Sequence, residues 1–198
     1  AAWALMQPVA MTAVFAFILQ HWGRMEPGEL PFVLYVYVGM WIWVFFSTAL
    51  TTSANSVVSA ERVVTKVYFP RLTIPFAAVL ASLVDFAIAI LPFLVLALWY
   101  GVAPSWGWLL APVIVSLVAL LAMGIGAGLS ALMVVFRDVR YVLPFLVQLL
   151  LFATPSIFLA TSAGGVERGP GLLLLHPLDG LVASFRAAIL GGDIPWLQ

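Results

Sequence analysis

Of 198 residues, 65% are hydrophobic and only 8% are charged, against roughly 25% charged in ordinary soluble domains. A fold of this size cannot hide so much apolar surface from water, so lipid is the solvent for much of it. Eight basic and eight acidic residues cancel to zero net charge, which argues against nucleic acid as a partner, and the absence of cysteine excludes disulfides, thiolate metal sites and thiol chemistry.

The chain opens almost inside an apolar run, residues 3–20. At about 1.5 Å per residue this is just long enough for a bilayer core. No basic n-region or A-x-A cleavage site precedes it, so it reads as a span rather than a signal peptide. Pro8 is predicted to kink this helix or mark its first turns, and the opening residues are expected to belong to a longer polypeptide. A polar loop follows, broken by Gly23, Pro27, Gly28 and Pro31, in which Glu26 and Glu29 outweigh Arg24. The second span, 32–53, is dense in aromatics: Tyr35, Tyr37, Trp41, Trp43, Phe45 and Phe46. An interfacial belt accounts for the outer ones, but Trp41 and Trp43 lie too deep for that. Lipid-facing or bundle packing is the commoner use of such rings; stacking on sugars in a pore is the alternative.

Residues 59–75, SAERVVTKVYFPRLTIP, are the one long basic interruption, with Arg62, Arg71 and the only lysine, Lys66. The middle, 59–70, is predicted to be a short amphipathic helix, with Val63, Val64, Val67 and Tyr68 on one face and Arg62 and Lys66 on another. Ser59 can cap it, Glu61 sits in the first turn where the helix dipole favours an acid, and Pro70 stops it. Two readings stand: a solvated loop that sets topology, or a docking element for a partner.

A third span, 72–100, carries Pro75, Pro92 and, at its centre, Asp85. A carboxylate in lipid is costly, so Asp85 should face the bundle interior or water and have a partner. It could relay protons or touch substrate, or be a hydrogen-bonded structural acid. Trp106 and Trp108, around a short turn, read as interface anchors. The fourth span, 109–136, contains Gly124, Gly126 and Gly128, the outer two in G-x-x-x-G spacing, and small residues there let another helix approach closely. Arg137, Asp138 and Arg140 form the second polar interruption before a fifth span, 141–161. The segment 172–191 is apolar but broken by His176, Pro177, Asp179 and Arg186, which suits an interfacial or re-entrant helix. A sixth span is expected beyond Gln198.

The loops sort by charge. Those holding Arg62, Lys66, Arg71, Arg137 and Arg140 are net positive; the others are net negative. The positive-inside rule therefore places 59–75 and 137–140 in the cytoplasm and the tail outside. The only histidines, His21 and His176, lie in separate external segments, and no metal or Ser-His-acid constellation can be assembled. Lys66 has no glycine near it, so there is no phosphate-binding Walker A loop, and ATP-driven work would need a separate polypeptide.

Three runs carry a resemblance: VVTKVYFPRLTIPFAAVLASLVDF, VVFRDVRYVLPFLVQLLLFATPSIF and HPLDGLVASFRAAILGG. Together with the opening AAWALMQPVAMTAVFAFIL, they resemble the permease subunit of type-2 ABC exporters, closest to the branch that exports O-antigen, capsular polysaccharide or teichoic acid. The resemblance implies an all-α integral membrane protein, one membrane-spanning domain over 1–198 with five of six transmembrane helices, truncated at both ends. It lacks the amphipathic helix that usually precedes span one, and the last span. The coupling contact to an ATP-binding subunit would fall on Glu61, Arg62, Thr65, Lys66 and Tyr68, with Arg137, Asp138 and Arg140 at a second cytoplasmic contact. Channel or substrate positions would come from Tyr37, Trp41, Trp43, Phe45, Phe46 and Asp85. The implied partners are that ATPase, which binds ATP and Mg, a second copy of the chain, and a lipid-linked polysaccharide, in the cytoplasmic membrane of a bacterium; no cofactor is expected on this chain. The alternatives are a type-2 exporter of drugs or lipids, an enzyme of lipid-linked sugar metabolism using Asp85, and a proton-coupled carrier.

Overall fold

A computed structural model describes residues 2–22, 32–60, 70, 72–102, 106–154 and 177–191, with backbone alone for 2–5, 19–22 and 32. Among the described residues the regular elements are all helical: α1 (Ala2–Trp22), α2 (Phe32–Ser59), α3 (Thr73–Ile88), α4 (Ile90–Trp99), a 3₁₀ turn (Trp106–Leu109), α5 (Ala111–Val135), α6 (Val139–Ala153) and α7 (Pro177–Leu190). Helix is what lipid demands of such sequences, because each backbone N–H and C=O must find its partner within its own segment.

Among the described residues, three stretches are long and apolar enough to cross a bilayer: Val33–Ser59, Thr73–Trp99 and Ala111–Val135. The first and fifth expected spans are represented by shorter apolar helical stretches, Met6–Ile18 and Val139–Ala153. The coupling segment, residues 61–69, lies outside the described residues, as do Arg71 and residues 155–176.

The hub is α2. The helices α5, α3, α1 and α7 all pack on it, α5 most extensively. Leu34, Val36, Val38, Met40 and Ile42 are closed off from solvent entirely or nearly so. The other spans bury one side and leave the opposite side apolar and open, as lipid-facing helices do: Val84, Val95 and Leu98 of the third span are examples. That third span is two helices in near-continuous line. It breaks at Ala89, three residues before Pro92, which has no N–H to give the carbonyl of Ile88 and whose ring crowds it.

Of the three glycines, Gly126 is the one that faces α2. Gly124 and Gly128 have open space where a Cβ would stand, whereas a Cβ on Gly126 would meet Ser53 Oγ at 2.5 Å and Ser53 Cβ at 2.7 Å. At 100° per residue, Gly126 lies on the far side of α5 from the G-x-x-x-G pair. The expected close approach is therefore made, between α5 and α2, by the middle glycine of the three.

Helix α7 is sunk into the bundle at the end where α2 begins. Its Phe185 meets Trp41 edge-on at 5.6 Å, and Trp41 is nine residues into α2, about 14 Å along the axis. The buried Arg186 guanidinium stacks 3.6 Å over the Tyr35 ring. Trp108 corrects one expectation: it is half-buried and donates its indole N–H to Ile189 O at 3.0 Å, tying the 3₁₀ turn to α7. Gly107 lies against the Ala188 backbone at the same joint, where no side chain would fit. Trp106 stays exposed, as an interface anchor would.

Candidate membrane-embedded site

At the break in the third span, α2 supplies two side-chain donors. The Tyr37 hydroxyl donates to Ala89 O at 2.9 Å and the Trp41 indole N–H to Phe86 O at 3.0 Å. Tyr37 and Trp41 are four residues apart and so lie one turn from each other on one face of α2. The Trp41 ring also stacks on Phe86 at 4.7 Å and on Phe93 at 5.5 Å, while Phe45 leans on Phe86 at 5.0 Å. The break is thus held by one buried and one part-buried hydrogen bond and a cluster of rings, each ring pair contributing about 0.5–1.5 kcal/mol beyond its burial.

Beside this cluster, α1, α2 and α3 enclose a cavity of about 220 Å³. Trp41, Phe45 and Phe86 form its aromatic wall; Gln7, Thr48, Ser82 and Asp85 supply its polar groups. Asp85 is the thirteenth residue of the 27-residue span Thr73–Trp99, hence near its middle. It is exposed at the cavity's edge, and its carboxylate has no hydrogen-bond or ion-pair partner among the described residues. It therefore faces a cleft, as a mid-span acid must, but it is not pinned as a structural acid.

The other aromatic candidates are spent on packing. Tyr37, Trp41, Trp43, Phe45 and Phe46 are all buried in the chain's own core, and only Trp41 and Phe45 also border the cavity. Trp43 and Phe46 pair with each other, ring centroids 5.9 Å apart. Bundle packing is the use this fold makes of them. Glu61, Arg62, Thr65, Lys66 and Tyr68 lie outside the described residues. Arg137, Asp138 and Arg140 are exposed at the tight turn from α5 to α6, where Asp138 O accepts the Tyr141 N–H at 3.0 Å.

Sequence reasoning passed over Gln7, Thr48 and Ser82, and with them the polar face of α2. The signal was present in STALTTSANSVVS, residues 47–59. Thr48, Thr52, Asn55 and Ser59 recur at helical spacing and share a face with Trp41 and Phe45.

The architecture so far is that of a membrane bundle with a polar cleft at mid-depth and no fold-specific chemistry. The family model described as ABC-2 type transporter matches residues 1–163. This chain belongs to the ABC-2 type transporter family. A curated relative, the O-antigen export system permease protein RfbA of Myxococcus xanthus, is 27% identical over 193 residues, covering 98% of this chain and 74% of its own length. The ABC-2 chain is accordingly a multi-pass membrane component of a transporter.

Proposed function

We propose that this ABC-2 chain is the permease subunit of an ATP-driven exporter that carries lipid-linked polysaccharide across the cytoplasmic membrane of a bacterium. The observation that carries the reading is the similarity to an O-antigen export permease along 98% of the chain. Energy comes from a separate ATP-binding subunit that holds ATP and Mg, since the chain lacks a Walker A loop. Two permease copies form the channel. The cytoplasmic segment that follows α2 seats in the ATPase through Glu61, Arg62, Thr65, Lys66 and Tyr68, and the exposed turn with Arg137, Asp138 and Arg140 makes a second contact. A short rigid helix in a partner's groove is enough to transmit closure of the ATPase to the spans.

The test is depletion of the full-length protein followed by assay of lipid-linked glycan on each membrane leaflet. Accumulation on the cytoplasmic leaflet with loss of surface polymer is expected. Unchanged glycan would overturn the cargo assignment in favour of drugs or lipids. Loss of glycan synthesis itself would point to an enzyme acting through Asp85. For docking, Arg62→Glu combined with Lys66→Glu should abolish copurification of the ATPase, and a normally assembled double variant would refute the coupling role of that segment.

A further inference from the structure

The face of α2 that lines the cavity changes character along its length. Towards the start of the helix it is aromatic, with Trp41 and Phe45; past the cavity it carries Thr48, Thr52, Asn55 and Ser59. These four are half-buried or exposed, whereas Ala49, Leu50, Ser53 and Ala54, on the remaining sides of the same turns, are buried. Across from this face, α3 presents the small residues Ala81 and Ser82 below Asp85. The two helices touch through the Thr52 and Ser82 hydroxyls, 3.3 Å apart. A polar track therefore leads from the last turn of α2 to a carboxylate near mid-membrane.

Hydroxyls alone would not require water, because each bonds back to its own helix: Thr52 Oγ1 donates to Thr48 O at 2.7 Å and Ser59 Oγ to Asn55 O at 2.8 Å. Asn55 and Asp85 are different. Asn55 gives one amide hydrogen to Thr51 O at 2.8 Å, which leaves its side-chain carbonyl to be satisfied, and a carboxylate in contact with hydrocarbon is costlier still. Polar groups at this depth are stable where they line a water-filled cleft. The basic segment that follows Ser59 sets the open end of the track on the cytoplasmic side.

We propose that α2 and α3 form a water-filled groove, open to the cytoplasm and ending at Asp85, which admits uncharged hydroxyl-rich groups such as a sugar ring and rejects anions such as phosphate. The choice of ligand rests on the export reading above; the groove and its charge selectivity do not. Carboxylate, carboxamide and hydroxyls beside aromatic faces match the edges and faces of a sugar, and the negative charge of Asp85 opposes a phosphate. At about 220 Å³ the closed end holds one ring rather than a chain of them.

The chain has no cysteine, so single cysteines in the full-length membrane-embedded transporter, freed of any cysteine elsewhere, can be labelled by membrane-impermeant thiosulfonates. From inside-out vesicles, Ser59→Cys, Thr52→Cys and Thr48→Cys should react, while Val84→Cys and Leu80→Cys on the outer side of α3 should not. At Thr48→Cys, which lines the cavity with Asp85, a cationic reagent should outpace an anionic one by about tenfold, as expected for a single charge about 6 Å away in wet surroundings. Asp85→Asn should bring that ratio close to one. Glucose at high concentration should slow the labelling and inorganic phosphate should not. Failure of Thr52→Cys and Thr48→Cys to react, or reaction only from the outer face, would overturn the groove. A ratio indifferent to Asp85→Asn would overturn its selectivity. Accessible cysteines without protection by glucose would overturn the ligand alone. None of these readouts depends on export, so they fail or succeed independently of the glycan assay.

Discussion

Ser53 and Gly126 show how little space separates the two most extensively packed helices. A methyl group on Gly126 would stand 2.5 Å from Ser53 Oγ, which no side chain tolerates without backbone movement. Gly126→Ala should therefore destabilise the solubilised protein by about 1–3 kcal/mol, the usual cost of overpacking, read as a lower melting temperature in detergent. Gly124→Ala, which meets open space, should be neutral or slightly stabilising, because alanine is the better helix former. The same comparison tests the assignment of the close approach to Gly126 rather than to the G-x-x-x-G pair. Trp41 is the other residue on which much converges. Trp41→Phe keeps a ring in the stack but loses the indole donor to Phe86 O, so it should cost about 0.5–1.5 kcal/mol. Trp41→Ala also empties the space between Phe86, Phe93 and Phe185, and should cost about 3–5 kcal/mol. Thermal denaturation of the two variants separates hydrogen bond from packing.

At the scale of the element, the third span and α7 depend on partners outside themselves. Pro92 leaves the third span broken at Ala89, and α2 grips that break through Tyr37 and Trp41. Pro92→Ala restores the missing N–H, so the two halves should merge into a straighter helix. Straightening would shift Phe93 relative to Trp41, a change that tryptophan fluorescence should report. For α7, Trp108→Phe removes the donor to Ile189 O while keeping an aromatic body in place. It should loosen α7 and speed amide hydrogen exchange in Pro177–Leu190 without affecting α3. A uniform rise in exchange across the bundle would instead mean that Trp108 supports the whole fold.

At the scale of the whole molecule, the proposed ATPase contact can be tested apart from packing. Arg137 and Arg140 are exposed at a turn with little core beneath it, so Arg137→Glu with Arg140→Glu should leave thermal stability of the permease within about 0.5 kcal/mol. The same pair should reduce copurification of the ATPase. Loss of stability equal to the loss of binding would place these arginines in the fold rather than at a docking surface. Surface charges screened by solvent contribute little to folding, which is why the two effects are expected to part.

Much of the class of this protein was legible without coordinates. A mean hydropathy of +1.17, long apolar runs and sparse charge leave only helices in lipid, because no other open structure satisfies the backbone there. The basic interruptions around Lys66 and Arg137 likewise stand out by composition alone. What composition could not decide was which side of each helix faces which neighbour. Gly124, Gly126 and Gly128 all allowed a close approach, and only packing picked out Gly126 for α2, since in a span apolar all round no stripe marks the buried side. The aromatics of α2 could have faced lipid, pore or core, and only packing assigned them to the core. The polar face of Thr48, Thr52 and Asn55 gains a meaning only once α3 brings Ser82 and Asp85 alongside. Lipid and protein interior are equally apolar, so hydropathy sets the depth of a residue in the membrane while tertiary contacts alone set its direction.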